Sequence, residues 1–329
     1  GQLNQWAMTK HENAFSSSHL VAFPTLTTVT PRVPWTPIDV MQILFAWIVA
    51  LFLGQIAYGI LIPPKVEGQH QIIDGNTSLV VEFLPNHRYI GDSDNGTFRF
   101  AGKHPTQDRH TLIFSPDGSS EKKPVNFQGT ERDRVGLIAI TIVFIQLGAI
   151  VLVMSLLNKY NLKLVEAFGP IGNPALTFGL PIALGTAFLF PALGLHHVSQ
   201  SIIVFCGGEP STQEAVKMVA MSNSQTELAL QALSVMFFAP IAEELLFRGV
   251  IYTSIKQAGH PKLAIGFSAI IFATIHGSLA LMLPLTALAW ALVWIYEKTG
   301  TIIAPILMHA TFNAINFSMI KFLPHLANQ

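Results

Sequence analysis

The run VMQILFAWIVALFLGQIAYGILI, from Val40 to Ile62, carries no charged side chain. About 20 apolar residues in a helix are enough to cross the hydrocarbon core of a bilayer. Pro37 and Asp39 precede the run, and the pair Pro63-Pro64 follows it and cannot continue a helix. The run therefore predicts a membrane-spanning helix.

Composition indicates that the rest of the chain also has lipid as its solvent. Half of the 329 residues are hydrophobic and 12% are charged, whereas a soluble domain usually carries about 25% charged residues. The 19 basic and 19 acidic side chains cancel, so no basic field exists that would gather nucleic acid. Membrane lipid is the expected surrounding, and nucleic acid is not an expected partner.

Further apolar stretches bring the prediction to about seven transmembrane helices in an all-α polytopic membrane protein. They are Val135 to Leu157, Ala175 to about Leu195, Glu227 to about Lys256, Pro261 to about Leu279, Met282 to about Glu297 and Thr301 to about Phe322.

The stretch from Lys65 to Arg134 has a different character, because it holds nine of the basic and ten of the acidic residues. Its apolar runs, Leu79 to Phe83, Thr97 to Phe100 and His110 to Phe114, are rich in β-branched and aromatic residues. We predict a small β-rich soluble insert between the first and second helices, with a disordered loop as the alternative.

These patterns divide the chain into successive segments. They are a polar N-terminal segment (1–39), the first transmembrane helix (40–64), the soluble insert (65–134), transmembrane helices with a loop (135–224), a helical core (225–322) and a C-terminal tail (323–329).

The distribution of Lys and Arg favours an N-terminus in the cytoplasm and the insert outside. Lys65, Arg132 and Arg134 flank the insert and argue for the opposite orientation. The opening residues lack a positive segment followed by a short apolar core, so no signal peptide is predicted there.

Charged side chains interrupt one of the predicted spans. The segment FFAPIAEELLFRG, from Phe237 to Gly249, contains Glu243, Glu244 and Arg248. Each unpaired charge at the bilayer centre costs about 2.5 to 3.5 kcal/mol on insertion scales. Glu244 and Arg248 are four residues apart and can pair, whereas Glu243 points about 100° away. We interpret Glu244 and Arg248 as supporting residues and Glu243 as the reagent.

The last helices bring further polar groups into the membrane. In SAIIFATIH, Phe272 and His276 lie four residues apart, and PILMHATFN places His309 and Asn313 at the same spacing. A carboxylate beside an imidazole can hold a water and take its proton, and this suits Glu243 with His276. The His309 and Asn313 N–H groups can stabilise an oxyanion.

A zinc site is the competing interpretation, because one Glu and two His with a water are good zinc ligands. The HExxH spacing of many zinc proteases is absent from the sequence, and we expect no cofactor.

Together, EExxxR at Glu243, FxxxH at Phe272 and HxxxN at His309 resemble the three motifs of the CAAX protease and bacteriocin-processing enzyme family. The resemblance covers about residues 225–320. It implies an intramembrane, metal-independent endopeptidase in which Glu243 and His276 activate water, and His309 and Asn313 stabilise the oxyanion.

The resemblance also implies a peptide or protein substrate, with lipidated proteins among the candidates. The expected location is the plasma membrane of a prokaryote. Two other classes compete with the peptidase, since intramembrane Glu, Arg and His also mark proton or ion transporters. The third possibility is a non-catalytic membrane scaffold or immunity protein.

Overall fold

The computed structural model describes residues 30–61, 68–74, 77–91, 94–103, 109–128, 134–209, 219, 222 and 224–322. The parts of the predicted N-terminal segment before Thr30 and the predicted C-terminal tail lie outside the described residues.

Six helices within the described residues are long and apolar enough to cross a membrane, and the protein is a multi-pass integral membrane protein. Helix α3, Leu164–Phe168, is a short connection, and α6, Pro261–Thr274, is apolar but shorter than the spans. The long helices are α1 (Pro37–Leu61), α2 (Val135–Lys159), α4 (Ala175–Phe205), α5 (Gln225–Gln257), α7 (Leu279–Thr299) and α8 (Ile303–Phe322).

Helix α6 differs most from its predicted span, which extended to about Leu279. The helix ends at Thr274, and the chain then turns through Gly277, whose φ of 66° suits a residue without a Cβ. At 1.5 Å per residue α6 is about 21 Å long, against about 30 Å for a bilayer core. The predicted fold class is confirmed, with six helices long enough to span within the described residues and α6 as a shorter apolar helix.

The predicted insert contains one six-stranded sheet, in which each strand pairs antiparallel with the next strand along the chain. The three apolar runs lie in β2, β4 and β5, as predicted. The strands are β1 (Gly68–Asp74), β2 (Thr77–Leu84), β3 (Arg88–Gly91), β4 (Asn95–Lys103), β5 (Arg109–Pro116) and β6 (Lys123–Gln128).

Alternate residues of these strands form a separate aromatic core on one face of the sheet. Phe83 meets Phe98 edge to face at 4.9 Å between ring centroids, and Tyr89 stacks on Phe114 at 4.3 Å. Leu112 is fully buried beside them. Because three or more strands with one apolar face can be stable on their own, the sheet forms its own small folding unit.

A carboxylate fixes the start of α1 against the end of α2. Asp39 is buried and accepts hydrogen bonds from the Lys159 ammonium at 2.5 Å and from the Tyr160 hydroxyl at 2.7 Å. The hydrogen bond to Asp39 raises the pKa of Tyr160 above its usual value. Farther along the pair, the Trp47 indole donates to the Ile145 carbonyl, so α1 and α2 are antiparallel neighbours.

The turn after α3 contacts the start of α8 through backbone atoms. The Ile302 amide donates to the Phe168 carbonyl at 2.9 Å. A Cβ on Gly169 would lie 1.7 Å from the Gly300 carbonyl oxygen, and the φ of Gly169 is 89°. Only glycine fits this contact, which sets where α8 begins.

We therefore expect Gly169→Ala to destabilise the protein by about 2 to 4 kcal/mol, because it adds left-handed strain and a backbone clash. The check is thermal unfolding of the purified protein in detergent. Gly172→Ala is the matched control, since a Cβ there has no atom within 4 Å. Equal unfolding midpoints for the two variants would contradict this account.

Candidate active site

Helix α5 places three charged side chains near its middle. Its α-helical segment Ala239–Glu244 is flanked by the π-helical turns Ser234–Phe238 and Leu245–Tyr252. Such widened turns inside helices occur frequently at functional sites. Pro240, which lacks an amide hydrogen, is the second residue after the first of these turns.

The ion pair that the i, i+4 spacing predicts between Glu244 and Arg248 is present and buried. Arg248 Nη1 donates to Glu244 Oε1 at 2.9 Å, and the two side chains are 1% and 0% exposed. Arg248 Nη2 also donates to the Ala289 carbonyl of α7 at 3.2 Å. The guanidinium carbon lies 4.7 Å from the centroid of the Phe272 ring on α6. Arg248 thus joins three helices through charge, hydrogen bonding and a cation–π contact.

His309 contacts both glutamates. Its Nδ1–H donates to Glu244 Oε1 at 2.8 Å, and its Nε2 lies 3.8 Å from Glu243 Oε2. The imidazole is 3% exposed, and the Phe272 ring meets it edge to face at 5.7 Å. Glu244 therefore holds the ring in one orientation, with Nε2 directed at Glu243.

Glu243 is the more accessible of the two carboxylates. Its side chain is 22% exposed, whereas that of Glu244 is fully buried. Glu243 Oε2 is itself shielded and has no hydrogen-bond partner among the described residues. A shielded carboxylate oxygen without a protein partner is a natural position for a water molecule.

His276 lies in the turn after α6 rather than on the helix itself. Its Nδ1–H donates to the Phe272 carbonyl at 2.7 Å, which leaves Nε2 as the acceptor nitrogen of the neutral ring. The His276 ring lies 4.9 Å from the Phe272 ring. Phe272 thus contacts His276, His309 and Arg248.

Asn313 attaches α8 to the first π turn of α5. Its Nδ2 donates to the Val235 carbonyl at 2.9 Å. One amide hydrogen is committed to this contact, and the second is the donor available for an oxyanion. The structure thus brings Glu243, Glu244, Arg248, Phe272 and His309 together, with Asn313 one helical turn farther along α8.

Within the described residues, no group of three or more His, Cys, Asp or Glu side chains has an arrangement that could hold a metal ion. Metal independence stays a prediction. A cleft of about 490 Å³ lies along α8, and none of the predicted catalytic residues lines it.

The segment that carries these motifs matches a known family. Residues 225–315 match the family model described as type II CAAX prenyl endopeptidase Rce1-like. The resemblance predicted from the three motifs is confirmed over this CAAX protease-like segment, which contains every site residue named above.

Two bacterial proteins are also similar. The UPF0177 protein YxdF of Lactococcus lactis is 34% identical over 85 residues, which are 26% of this chain and 46% of the relative. The "Putative membrane peptidase YdiL" of Bacillus subtilis is 26% identical over 137 residues, 42% of this chain and 55% of the relative. The chain thus spans about half the length of these curated relatives. No solved structure matches significantly.

Two contacts near the site have no direct signal in the sequence. Gln146 of α2 donates to the Ser234 hydroxyl at 2.8 Å, and a Cβ on Gly185 of α4 would lie 2.5 Å from the Met308 carbonyl oxygen. A glutamine inside an apolar span was the available hint for the first. The second contact brings α4 close to α8 beside His309.

We predict that the Glu244–Arg248 pair is energetically coupled. Arg248→Met should cost about 3 to 5 kcal/mol, because it leaves a buried carboxylate without its cation. Combining it with Glu244→Gln should cost less than the sum of the two single changes. Unfolding free energies of the four proteins in detergent measure this coupling. Strictly additive values would show that the pair makes no mutual contribution.

Proposed function

We propose that this protein is a membrane-embedded endopeptidase that hydrolyses a peptide bond of a membrane-associated protein or peptide. The observation that carries the proposal is the arrangement of Glu243, Glu244, Arg248 and His309 inside an apolar helical bundle. This arrangement lies within the CAAX protease-like segment.

Burial of these ionisable groups is better explained by a functional role than by packing alone. Ionisable residues within membrane spans are costly and usually mark a functional site. The pairing of Glu244 with Arg248 reduces the cost for two of them. Glu243 is not needed for that pair, and its Oε2 has no protein donor among the described residues, so packing alone gives no reason for a carboxylate at this position.

In the proposed reaction Glu243 is the general base. A water bound at Glu243 Oε2 gives one proton to the carboxylate, and the resulting hydroxide attacks the carbonyl carbon of the scissile bond. Glu243 then returns the proton to the amide nitrogen as the carbon–nitrogen bond breaks. The products are a new carboxyl terminus and a free amine, and the enzyme regains its ionised carboxylate.

His309 and Asn313 are the proposed oxyanion donors. The separation of 3.8 Å between His309 Nε2 and Glu243 Oε2 allows both atoms to contact one water or the developing oxyanion. Because His309 Nδ1–H is already given to Glu244, donation from Nε2 requires the imidazolium form.

His276 is proposed to assist Glu243 in holding the water, as the motif resemblance implies. Its Nδ1 is bound to the Phe272 carbonyl, which fixes the orientation of the ring. Glu244, Arg248 and Phe272 are positioning residues in this scheme, because they hold His309 without meeting the substrate.

The matching family is named for prenyl endopeptidases, and a lipidated protein is accordingly one candidate substrate. The curated relatives that match are bacterial, in keeping with the plasma membrane of a prokaryote. We propose no cofactor and no nucleic-acid partner.

The test is Glu243→Gln, which keeps the shape of the side chain but removes the base. Cleavage should fall by a factor of about 100 to 10,000, without a change in thermal stability. Mass spectrometry of peptides from membranes that contain either protein measures the products and identifies the substrate together.

Glu209→Gln is the matched control, because this carboxylate is exposed at the end of α4. Products that persist at the same level in the Glu243→Gln membranes would reject the proposed mechanism. Transport into sealed vesicles that depends on Glu243 would favour a transporter instead.

A second test concerns metal. We expect cleavage to continue after extended treatment with EDTA or 1,10-phenanthroline, since water is activated by a carboxylate here. Activity that disappears on chelation and returns with added zinc would establish the competing zinc site.

A further inference from the structure

The two ends of the helical bundle can be identified from contacts. At one end, named the Asp39 end, α1 begins and α2 finishes, and Lys256 of α5 donates to Glu297 of α7 at 2.6 Å. At the other end α1 finishes and the six-stranded sheet follows, so we name it the sheet end. Lys321, near the end of α8, donates there to the Ser222 carbonyl, just before α5 begins.

We infer that water and the substrate peptide reach Glu243 from the sheet end of the bundle. The inference rests on the proposed function, and it adds the side of the membrane from which the site is supplied. It does not depend on which side of the membrane is the cytoplasm.

The first observation is the asymmetric burial of α5. Every residue from Glu244 to Ser254, on the Asp39 side of the site, is buried. Residues Val235 to Ala239, on the sheet side, are all at least partly exposed, and Glu243 lies at the border. On the facing helix α8, Met308 and His309 are buried, and residues 310–316, which follow them toward the sheet end, are all partly exposed.

The second observation is that polar groups continue from Glu243 toward the sheet end. Asn313 donates to the Val235 carbonyl, and Gln146 donates to the Ser234 hydroxyl. The Gln146 carbonyl oxygen is buried and has no hydrogen-bond partner among the described residues. Asn316 follows one turn beyond Asn313. Lipid would leave the Gln146 oxygen without a hydrogen-bond donor, whereas a water molecule can supply one.

The same series reaches the sheet end itself. Ser222 donates to Gln231, and Gln231 donates to Glu227, two turns before Ser234 on α5. In the opposite direction from Glu243, the side chains of Phe247, Val250 and Ile251 are at most 1% exposed. Arg248 Nε and Ser254 Oγ on that side also have no hydrogen-bond partner among the described residues, but every residue from Glu244 to Ser254 is buried. The partly exposed polar side chains nearest Glu243, those of Asn313 and Asn316, lie on its sheet side.

In this geometry the substrate and the sheet are on the same side of the membrane. A peptide that enters along α5 and α8 arrives on the side of the membrane where the sheet lies. The sheet is the folded soluble unit that follows α1 on that side within the described residues.

Cysteine labelling tests the path without requiring catalysis. The sequence has one cysteine, Cys206, which is exposed, so Cys206→Ser provides the background. Asn316→Cys and Ser234→Cys probe the path, and Val250→Cys is the control in the buried half of α5, since Val250 is fully buried. Ser119→Cys marks the sheet side and Lys163→Cys the Asp39 side, since both positions are exposed.

The reagent is a membrane-impermeant cationic methanethiosulfonate, applied to sealed vesicles of both orientations. Asn316→Cys should react from the face that modifies Ser119→Cys, at least about tenfold faster than Val250→Cys from either face. Ser234→Cys gives the same reading if Asn316→Cys does not elute as a folded protein.

Reaction from the face that modifies Lys163→Cys would overturn the inference, and so would protection of both path positions from both faces. Labelling of the path combined with undiminished cleavage by Glu243→Gln would instead reject the proposed function and retain the water path.

Discussion

The buried ion pair between Glu244 and Arg248 is the constraint on which the rest of the site depends. Two charges in an apolar bundle are tolerated when their pairing and further contacts offset the cost of removing them from water. Arg248 obtains a carbonyl from α7 and an aromatic face from α6, and Glu244 obtains the His309 imidazole from α8. Helices α5 to α8 are therefore assembled around one pair, and His309 is oriented as a result.

Much of this arrangement could be predicted from periodicity, and the exceptions have physical reasons. Long apolar runs and i, i+4 spacing identify spans and pairs within one helix, such as Glu244 with Arg248. The strands β1, β3 and β6 went unpredicted because they are short or polar. The contact of His309 with both glutamates joins different helices, and spacing along one helix carries no information about such partners.

Close backbone contacts form another class that the sequence could not reveal. A glycine in a membrane helix can be lipid-facing or can mark a point where two backbones meet. In this protein Gly59 has open space where a Cβ would be, whereas Gly185 meets the Met308 carbonyl and Gly249 meets the Phe168 ring. Only the three-dimensional packing separates these cases, and it determines the depth at which His309 lies.

The site has two opposing requirements, and α5 meets them in its two halves. An ion pair is strengthened by exclusion of water because the local dielectric is low, whereas a general base in hydrolysis needs water beside it. Adjacent residues on a helix point about 100° apart, so Glu243 and Glu244 can face different environments at nearly the same depth. Glu244 faces the dry half with Arg248, and Glu243 lies where the polar half begins. The double glutamate thus allows one short segment to hold its own structure and to supply the reactive group.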